Sequence, residues 1–301
     1  MSEQFKSGYV GIVGRPNVGK STILNRLVGQ KIAIISPKPQ TTRNKILGIM
    51  HGDGFQAVFL DTPGFHKPKT RLGENMVKAV NETMGDADLI MLVTEPTAQI
   101  SPAEEAIVEK LGSVPCVLVI NKTDTVKKDE LLAVIDAYSR RHSFCAIIPV
   151  SARTGENIDE LTSVIKSNLP EGPMYYPEDM VTDQQEKEIV AELIREKMLK
   201  ALRDEIPHGT AVEIIKMKYS KSEKGDMYNI SANIFCEKNS HKGIIIGKGG
   251  KTLKEIGTKA RLDCEKMLDA KVFLELWVKV KEDWRNSNNL MREMGILDKN
   301  E

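Results

Sequence analysis

The chain has 301 residues, 41% of them hydrophobic and 28% charged, which suits a globular protein of two domains better than one with a single core. Its net charge of +1 excludes a global field that would draw in nucleic acid or membrane. The longest apolar runs, such as 114–120 and 243–247, fall far short of the roughly 20 residues a spanning helix needs, and the first ten residues carry no signal-peptide core. Cys116, Cys145, Cys236 and Cys264 stand in apolar contexts without CxxC spacing, which predicts buried free thiols in a reducing cytosol rather than disulfides or a zinc cluster.

In chain order, residues 9–14 read as a short strand ending in glycines, and 20–28 as a helix with Ile23, Leu24 and Leu27 on one side. Residues 45–51 and 55–61 read as paired strands about a glycine-rich turn. Buried strands are predicted over 89–94, 116–120 and 146–150, and helices over 72–84, 102–111, 131–138 and 157–168. Such alternation implies an α/β domain with a mixed, mostly parallel sheet and helices on both faces, spanning residues 1–170.

Pro170, Pro173 and Pro177 with Gly172 mark a semi-rigid linker, taken as 171–183. A second domain, 184–301, follows. A helix over 186–203 precedes strands over 211–220 and 228–237, split by a charged turn at 221–226. Helices over 240–246 and 252–268 flank a Gly-Lys loop, and a strand covers 271–280. The order is α-β-β-α-α-β. Trp277, in a strand, is expected in the core, and the polar tail from residue 282 is expected to fray.

Gly14-Arg15-Pro16-Asn17-Val18-Gly19-Lys20-Ser21 satisfies G-x-x-x-x-G-K-[ST] between a strand and a helix, with Thr22 next. In this context backbone N–H groups curl around phosphate oxygens and the helix N-terminus adds its positive end. Lys20 supplies a point charge to the outer phosphates, and the Ser21 hydroxyl suits Mg²⁺. Asp61-Thr62-Pro63-Gly64 ends the next apolar strand. Asp61 is placed to hold Mg²⁺ through water, and the Gly64 amide to bond a terminal phosphate. Asn121-Lys122-Thr123-Asp124 follows a buried strand. The Asp124 carboxylate can accept from both guanine N–H donors, whereas adenine would leave its charge unpaired. Asn121 can bridge base and phosphate loop, the Lys122 stem can cover the ring, and Ser151-Ala152 offers a backbone N–H to the guanine oxygen. Together these strand-end motifs point to GTP and GDP rather than ATP.

With these motifs in order, residues 9–168 resemble the translation-factor-related GTPases. The resemblance implies that Gln40-Thr41-Thr42-Arg43-Asn44 is a switch segment, with Thr42 favoured over Thr41 as the threonine that reaches Mg²⁺ and the γ-phosphate. The implied catalytic set is Lys20, Thr42, Asp61 and Gly64, with Ser21, Thr42 and Asp61 about the metal. Phe65 stands where Ras-like enzymes carry a water-orienting glutamine, so slow turnover is expected, accelerated by a partner or a cation. In related GTPases with this substitution the loop asparagine, here Asn17, helps bind K⁺. His66 is a neighbour with little claim to act as the base.

The stretch 239–251 cannot be a second phosphate loop, because Ile245 stands where glycine is required. It reads instead as an apolar helix, a G-x-x-G turn from Gly247 to Gly250, and another helix. Glycines there let a single-stranded backbone come close, and Lys248 favours phosphate. From 238 to 261 there are seven Lys or Arg against one acid, Glu255. The candidate RNA contacts are Lys242, Gly243, Ile244, Ile246, Gly247, Lys248, Gly249, Gly250 and Lys251. Residue by residue, the isoleucines of this stretch are more readily core than groove.

Element order and loop resemble an α+β type II KH domain, and the pairing of the two domains resembles the Era family of bacterial GTPases over essentially the whole chain. That resemblance implies binding of the 3′ end of small-subunit (16S) rRNA, assistance to 30S assembly, and control of RNA binding by nucleotide state. It also implies a cytoplasmic, monomeric protein with loose peripheral attachment to the cell membrane. Two other classes compete. A membrane-linked signalling GTPase would show charge dependence only, without RNA sequence preference. A P-loop kinase or ATPase would not carry Asn121 and Asp124.

Overall fold

The computed structural model describes residues 4–65, 68–221, 225–294 and 296–297. The chain divides into two compact units, the bulk of the first ending at Asp183 and that of the second beginning at Gln184.

The first unit contains strands β1 (Lys6–Val13), β2 (Ile46–Gly52), β3 (Phe55–Asp61), β4 (Leu89–Thr94), β5 (Cys116–Ile120) and β6 (Ala146–Pro149). Between them run helices α1 (Lys20–Val28), α2 (Arg71–Asp86), α3 (Pro102–Val108), α4 (Lys128–Ser139) and α5 (Ile158–Asn168). The sheet order is β2-β3-β1-β4-β5-β6. Only β2 runs antiparallel, in a hairpin with β3; the other pairings are parallel. Strands β3, β4 and β5 are buried along their whole length, as parallel strands covered on both faces must be. Ile23, Leu24, Leu161 and Ile165 bring α1 and α5 onto one face. Val80, Met84, Ile107, Val134 and Tyr138 bring α2, α3 and α4 onto the other.

Helix α3 stops at Val108, short of the expected 111. Its start is fixed by a capping box in which the Ser101 side chain accepts from the Glu104 N–H and the Glu104 side chain accepts from the Ser101 N–H. The stretch expected as a linker lies against the first unit. Buried Gln56 donates to the Tyr176 carbonyl at 2.8 Å and accepts from the Tyr175 and Tyr176 N–H groups. Ile49 N–H donates to Val181 O at 2.9 Å, so this stretch satisfies part of the open edge of β2.

The second unit comprises α6 (Glu186–Ala201), β7 (Ala211–Ser220), β8 (Met227–Cys236), α7 (Asn239–Ile246), α8 (Lys251–Leu268), β9 (Lys271–Val280) and α9 (Asn288–Glu293). Strand β8 is central, antiparallel to β7 and parallel to β9. Val190, Leu193, Ile194, Ile256, Ala260 and Cys264 pack the helices onto one sheet face. Residues 222–224 of the expected turn lie outside the described residues.

Three expectations need correction. Trp277 is 60% exposed, because strand alternation turns it to the face opposite the helices. Trp284 is the buried tryptophan; its Nε1–H donates to Gly209 O at 3.0 Å, so the start of the tail is anchored. Cys145 is exposed beside edge strand β6, while Cys116, Cys236 and Cys264 are buried; none of the four is in a disulfide.

Candidate guanine-nucleotide site and basic turn

The nucleotide motifs sit at the C-terminal ends of β1, β3, β5 and β6 and converge on a cleft of about 470 Å³. This is where open α/β sheets place ligands. Helix α1 begins after Gly19, whose φ of 104° is left-handed and whose missing Cβ would collide with Asn121 Nδ2. Among the described residues no side chain caps α1, so its first N–H groups are left for an anionic ligand.

Lys20 is buried and donates to Gly14 O at 3.1 Å and Arg15 O at 3.0 Å. Burial lowers its pKa to about 8 against the opposing pull of Asp61. Asp61 is fully buried, and burial raises its pKa to about 6 against Lys20 and the Ser21 and Thr42 hydrogen bonds. Ser21 Oγ donates to Asp61 Oδ2 at 2.7 Å and lies 2.9 Å from Thr42 Oγ1. Asp61 Oδ1 is buried without a hydrogen-bond partner among the described residues. Three hard oxygen donors and an orphaned carboxylate oxygen fit a small divalent cation such as Mg²⁺. Of the two adjacent threonines, Thr42 joins this cluster, while Thr41 donates to Lys38 O at 2.6 Å.

At the other end, Asn121 Nδ2 donates to Val18 O at 2.8 Å and its Oδ1 accepts from the Ala152 N–H at 3.0 Å. Ser151 Oγ donates to Asp124 Oδ1 at 2.6 Å, and Arg153 pairs with the other carboxylate oxygen. Lys122 pairs with Glu95 along the cleft wall.

Pro16, Asn17, Gly19, Lys20, Ser21, Thr22, Thr42, Gly64, Asn121, Lys122, Asp124 and Ala152 line the cleft. Other predicted residues support it from behind. The Arg15 side chain turns to Glu104 at 2.9 Å and to Glu95; the Val18 side chain is buried, as is Pro63; and Thr62 Oγ1 donates to Ile12 O at 2.7 Å. The Phe65 N–H donates to Gly14 O at 3.1 Å, while its ring packs against the α2–α4 core beneath Lys110. That ring offers no polar atom to a water. His66 lies outside the described residues.

Arg153 and Glu95 escaped the sequence reading. Glu95 directly follows β4, at the same sheet edge as the other motifs, and that position was the available signal. The Arg153 pairing depends on how the 151–156 turn folds back, and no local pattern reports it.

In the second unit, α7 ends at Gly247, whose φ of 73° is left-handed and whose missing Cβ would collide with Thr252. Gly249 and Gly250 also have positive φ, at 60° and 78°. Gly243, Lys248, Gly249 and Lys251 are exposed, and Lys242 and Gly250 are half-buried. Ile245 is core, Ile246 is half-buried, and Ile244 is 51% exposed beside the turn.

Residues 9–122 match the family described as 50S ribosome-binding GTPase, and residues 205–285 match the KH domain. Over 98% of its length the chain is 53% identical to GTPase Era of Clostridium novyi (strain NT), all of which it covers. The chain belongs to the Era GTPase family. It is therefore a GTPase, with a P-loop GTPase domain followed by a KH domain. GTPase Era of Clostridioides difficile (strain 630) is 54% identical, with 98% of this chain and 100% of that protein covered. Two solved Era structures are each 41% identical, covering 97% of this chain and 99% of theirs. One, from Aquifex aeolicus, is a variant bound to GDP and AlF4⁻, with a TM-score of 0.92; the other, with a TM-score of 0.93, is in complex with MgGDPNP and nucleotides 1506–1542 of 16S ribosomal RNA.

Proposed function

We propose that this protein binds GTP and GDP with Mg²⁺, binds the 3′ end of small-subunit (16S) rRNA through its KH domain, and assists assembly of the 30S subunit. The observation that carries this reading is the full-length likeness to the Era structure holding MgGDPNP and nucleotides 1506–1542. Residues 1–170 bind nucleotide and 184–301 bind RNA. Ser21, Thr42 and Asp61 hold the metal, which offsets phosphate charge when bound; Lys20 and the Gly64 amide hold the outer phosphates. Lys242, Gly243, Ile244, Ile246, Gly247, Lys248, Gly249, Gly250 and Lys251 form the RNA contact. The exposure of Ile244 and the left-handed glycines support a close backbone approach.

Nucleotide state controls RNA affinity, with the GTP form binding more tightly. K⁺ joins the phosphates beside Asn17, which takes φ 66° and donates to Pro37 O at 2.7 Å. The protein acts in the cytoplasm as a monomer. Any membrane association is peripheral; among the described residues no helix is long and apolar enough to cross a bilayer.

The test is RNA crosslinking in lysate with the protein loaded with GDP or a non-hydrolysable GTP analogue. Enrichment of the 16S 3′ end, stronger with the analogue, supports the reading. Equal, salt-sensitive capture of any RNA overturns it.

A further inference from the structure

Strand β9 alternates strictly. Val272, Leu274, Leu276 and Val278 join the helix-facing core, so Lys271, Phe273, Glu275, Trp277 and Lys279 point to the opposite face. Phe273 is 54% and Trp277 60% exposed, although the chain has only two tryptophans and few aromatic residues. The two are four residues apart on one strand, about 13 Å at roughly 3.3 Å per residue. That is too far to clamp one ring between them and suits two separate rings.

The chemistry around them is polar and basic. Register places Lys216 opposite Ser231 and Lys218 opposite Asn229, on this same outer face. The bulge between Ile214 and Lys216 lets Glu213 and Lys216 both point outward and leaves Ile215 55% exposed. The two carboxylates on the face are engaged: Glu275 accepts from Ser231 Oγ at 3.0 Å and Glu213 from Asn233 Nδ2 at 3.2 Å. Among the described residues, four exposed lysines stand against two tied acids, a surplus of positive charge on a face with separated aromatic planes.

Glu275 lies between the two aromatic residues, so they do not form the continuous apolar patch that a protein interface core or a bilayer would require. A sheet presenting aromatic planes, amide and hydroxyl groups and flanking cations fits unpaired bases with their phosphates. We propose that this outer face is a second single-stranded RNA surface, with Phe273 and Trp277 stacking bases and the lysines meeting phosphate. It rests on the reading of the second unit as RNA-binding, but it is a different site from the basic turn, which belongs to the helical side of the sheet.

Trp284 is fully buried, so acrylamide-accessible tryptophan emission reports Trp277. The full-length protein, loaded with a GTP analogue, is titrated with 12-nucleotide oligoadenylate and with a synthetic RNA spanning nucleotides 1506–1542. Both RNAs are expected to shield Trp277 from acrylamide. Phe273→Ala and Trp277→Ala should each weaken binding about fivefold or more, with far-UV circular dichroism and basal GTP turnover unchanged. A Lys248→Glu, Lys251→Glu variant tests the basic turn separately. If that variant loses RNA binding while Trp277 stays accessible and the aromatic variants bind normally, the basic turn is the RNA site and the sheet surface is refuted. If neither set alters RNA affinity, the RNA-binding reading of the unit fails and takes this surface with it.

Discussion

Asn121 donates its side-chain amide to the Val18 carbonyl at 2.8 Å, joining the proposed base-recognition motif to the 14–21 loop across the sheet. The same side chain accepts from Ala152 N–H, so one buried amide braces three motifs at three strand ends. Replacing Asn121 with Ala strands two buried backbone groups, at about 1–3 kcal/mol each. Asn121→Ala should lower the melting temperature without nucleotide by several degrees and weaken GDP at least about tenfold, checked by calorimetry and GDP titration.

Asp124 is already engaged by Ser151 and the exposed Arg153, so a guanine held there as proposed would share or displace the arginine. Hydrogen bonds to a charged group contribute about 1.5–3 kcal/mol, and guanine offers two donors. Asp124→Asn should therefore weaken GTP about a hundredfold or more and narrow the gap to ATP, measured by competition binding. Retained GTP preference would remove Asp124 from base recognition.

Glu104 reaches from α3 to Arg15 behind the phosphate loop and is fully buried. Burial alone pushes its pKa up, but hydrogen bonds from Ser101 and Thr94, with Arg15 nearby, hold it below the ordinary glutamate value of 4.5. A depressed carboxylate contributes stability that is present above the unfolded pKa and lost as pH falls through the folded one. Stability of the wild-type protein should decline below about pH 4.5, and Glu104→Gln should flatten this part of the acid limb in melts across pH 3–7.

Phe65 turns its ring into the α2–α4 core and away from polar work, so a water-orienting group must come from elsewhere. Single-turnover GTP hydrolysis should be slow in Na⁺ and faster in K⁺ at equal ionic strength, and Asn17→Ala should remove the difference. Equal rates in the two salts would sink the potassium role.

Trp284 is fully buried and bonds Gly209 O. Trp284→Ala should destabilise the unit by about 3–5 kcal/mol, read by urea unfolding.

The nucleotide motifs were legible because each is contiguous and each follows a strand whose apolar run is visible. Four short segments at the ends of parallel strands must meet at one sheet edge, so the cleft follows from order alone. The KH element order was readable for the same reason, since helical and strand periods differ. What local sequence cannot carry is the far partner of a side chain. Arg153 on Asp124, Glu104 on Arg15 and Gln56 on Tyr176 each join residues that are distant in the chain. The 171–183 stretch reads as a proline-rich connector, yet the open edge of β2 gives its backbone a partner. The two tryptophans show the limit most directly. Alternation in β9 predicts two opposite faces for Trp277 and Val278, but which face the helices cover is decided by where α6 and α8 pack. Trp284 sits in a polar tail, yet it is fully buried and bonds Gly209 O, a partner 75 residues earlier in the chain. Composition and spacing determined the chemistry at strand ends; the choice of face and the long-range polar partners belonged to tertiary packing, where burial energy acts on neighbours the chain order does not name.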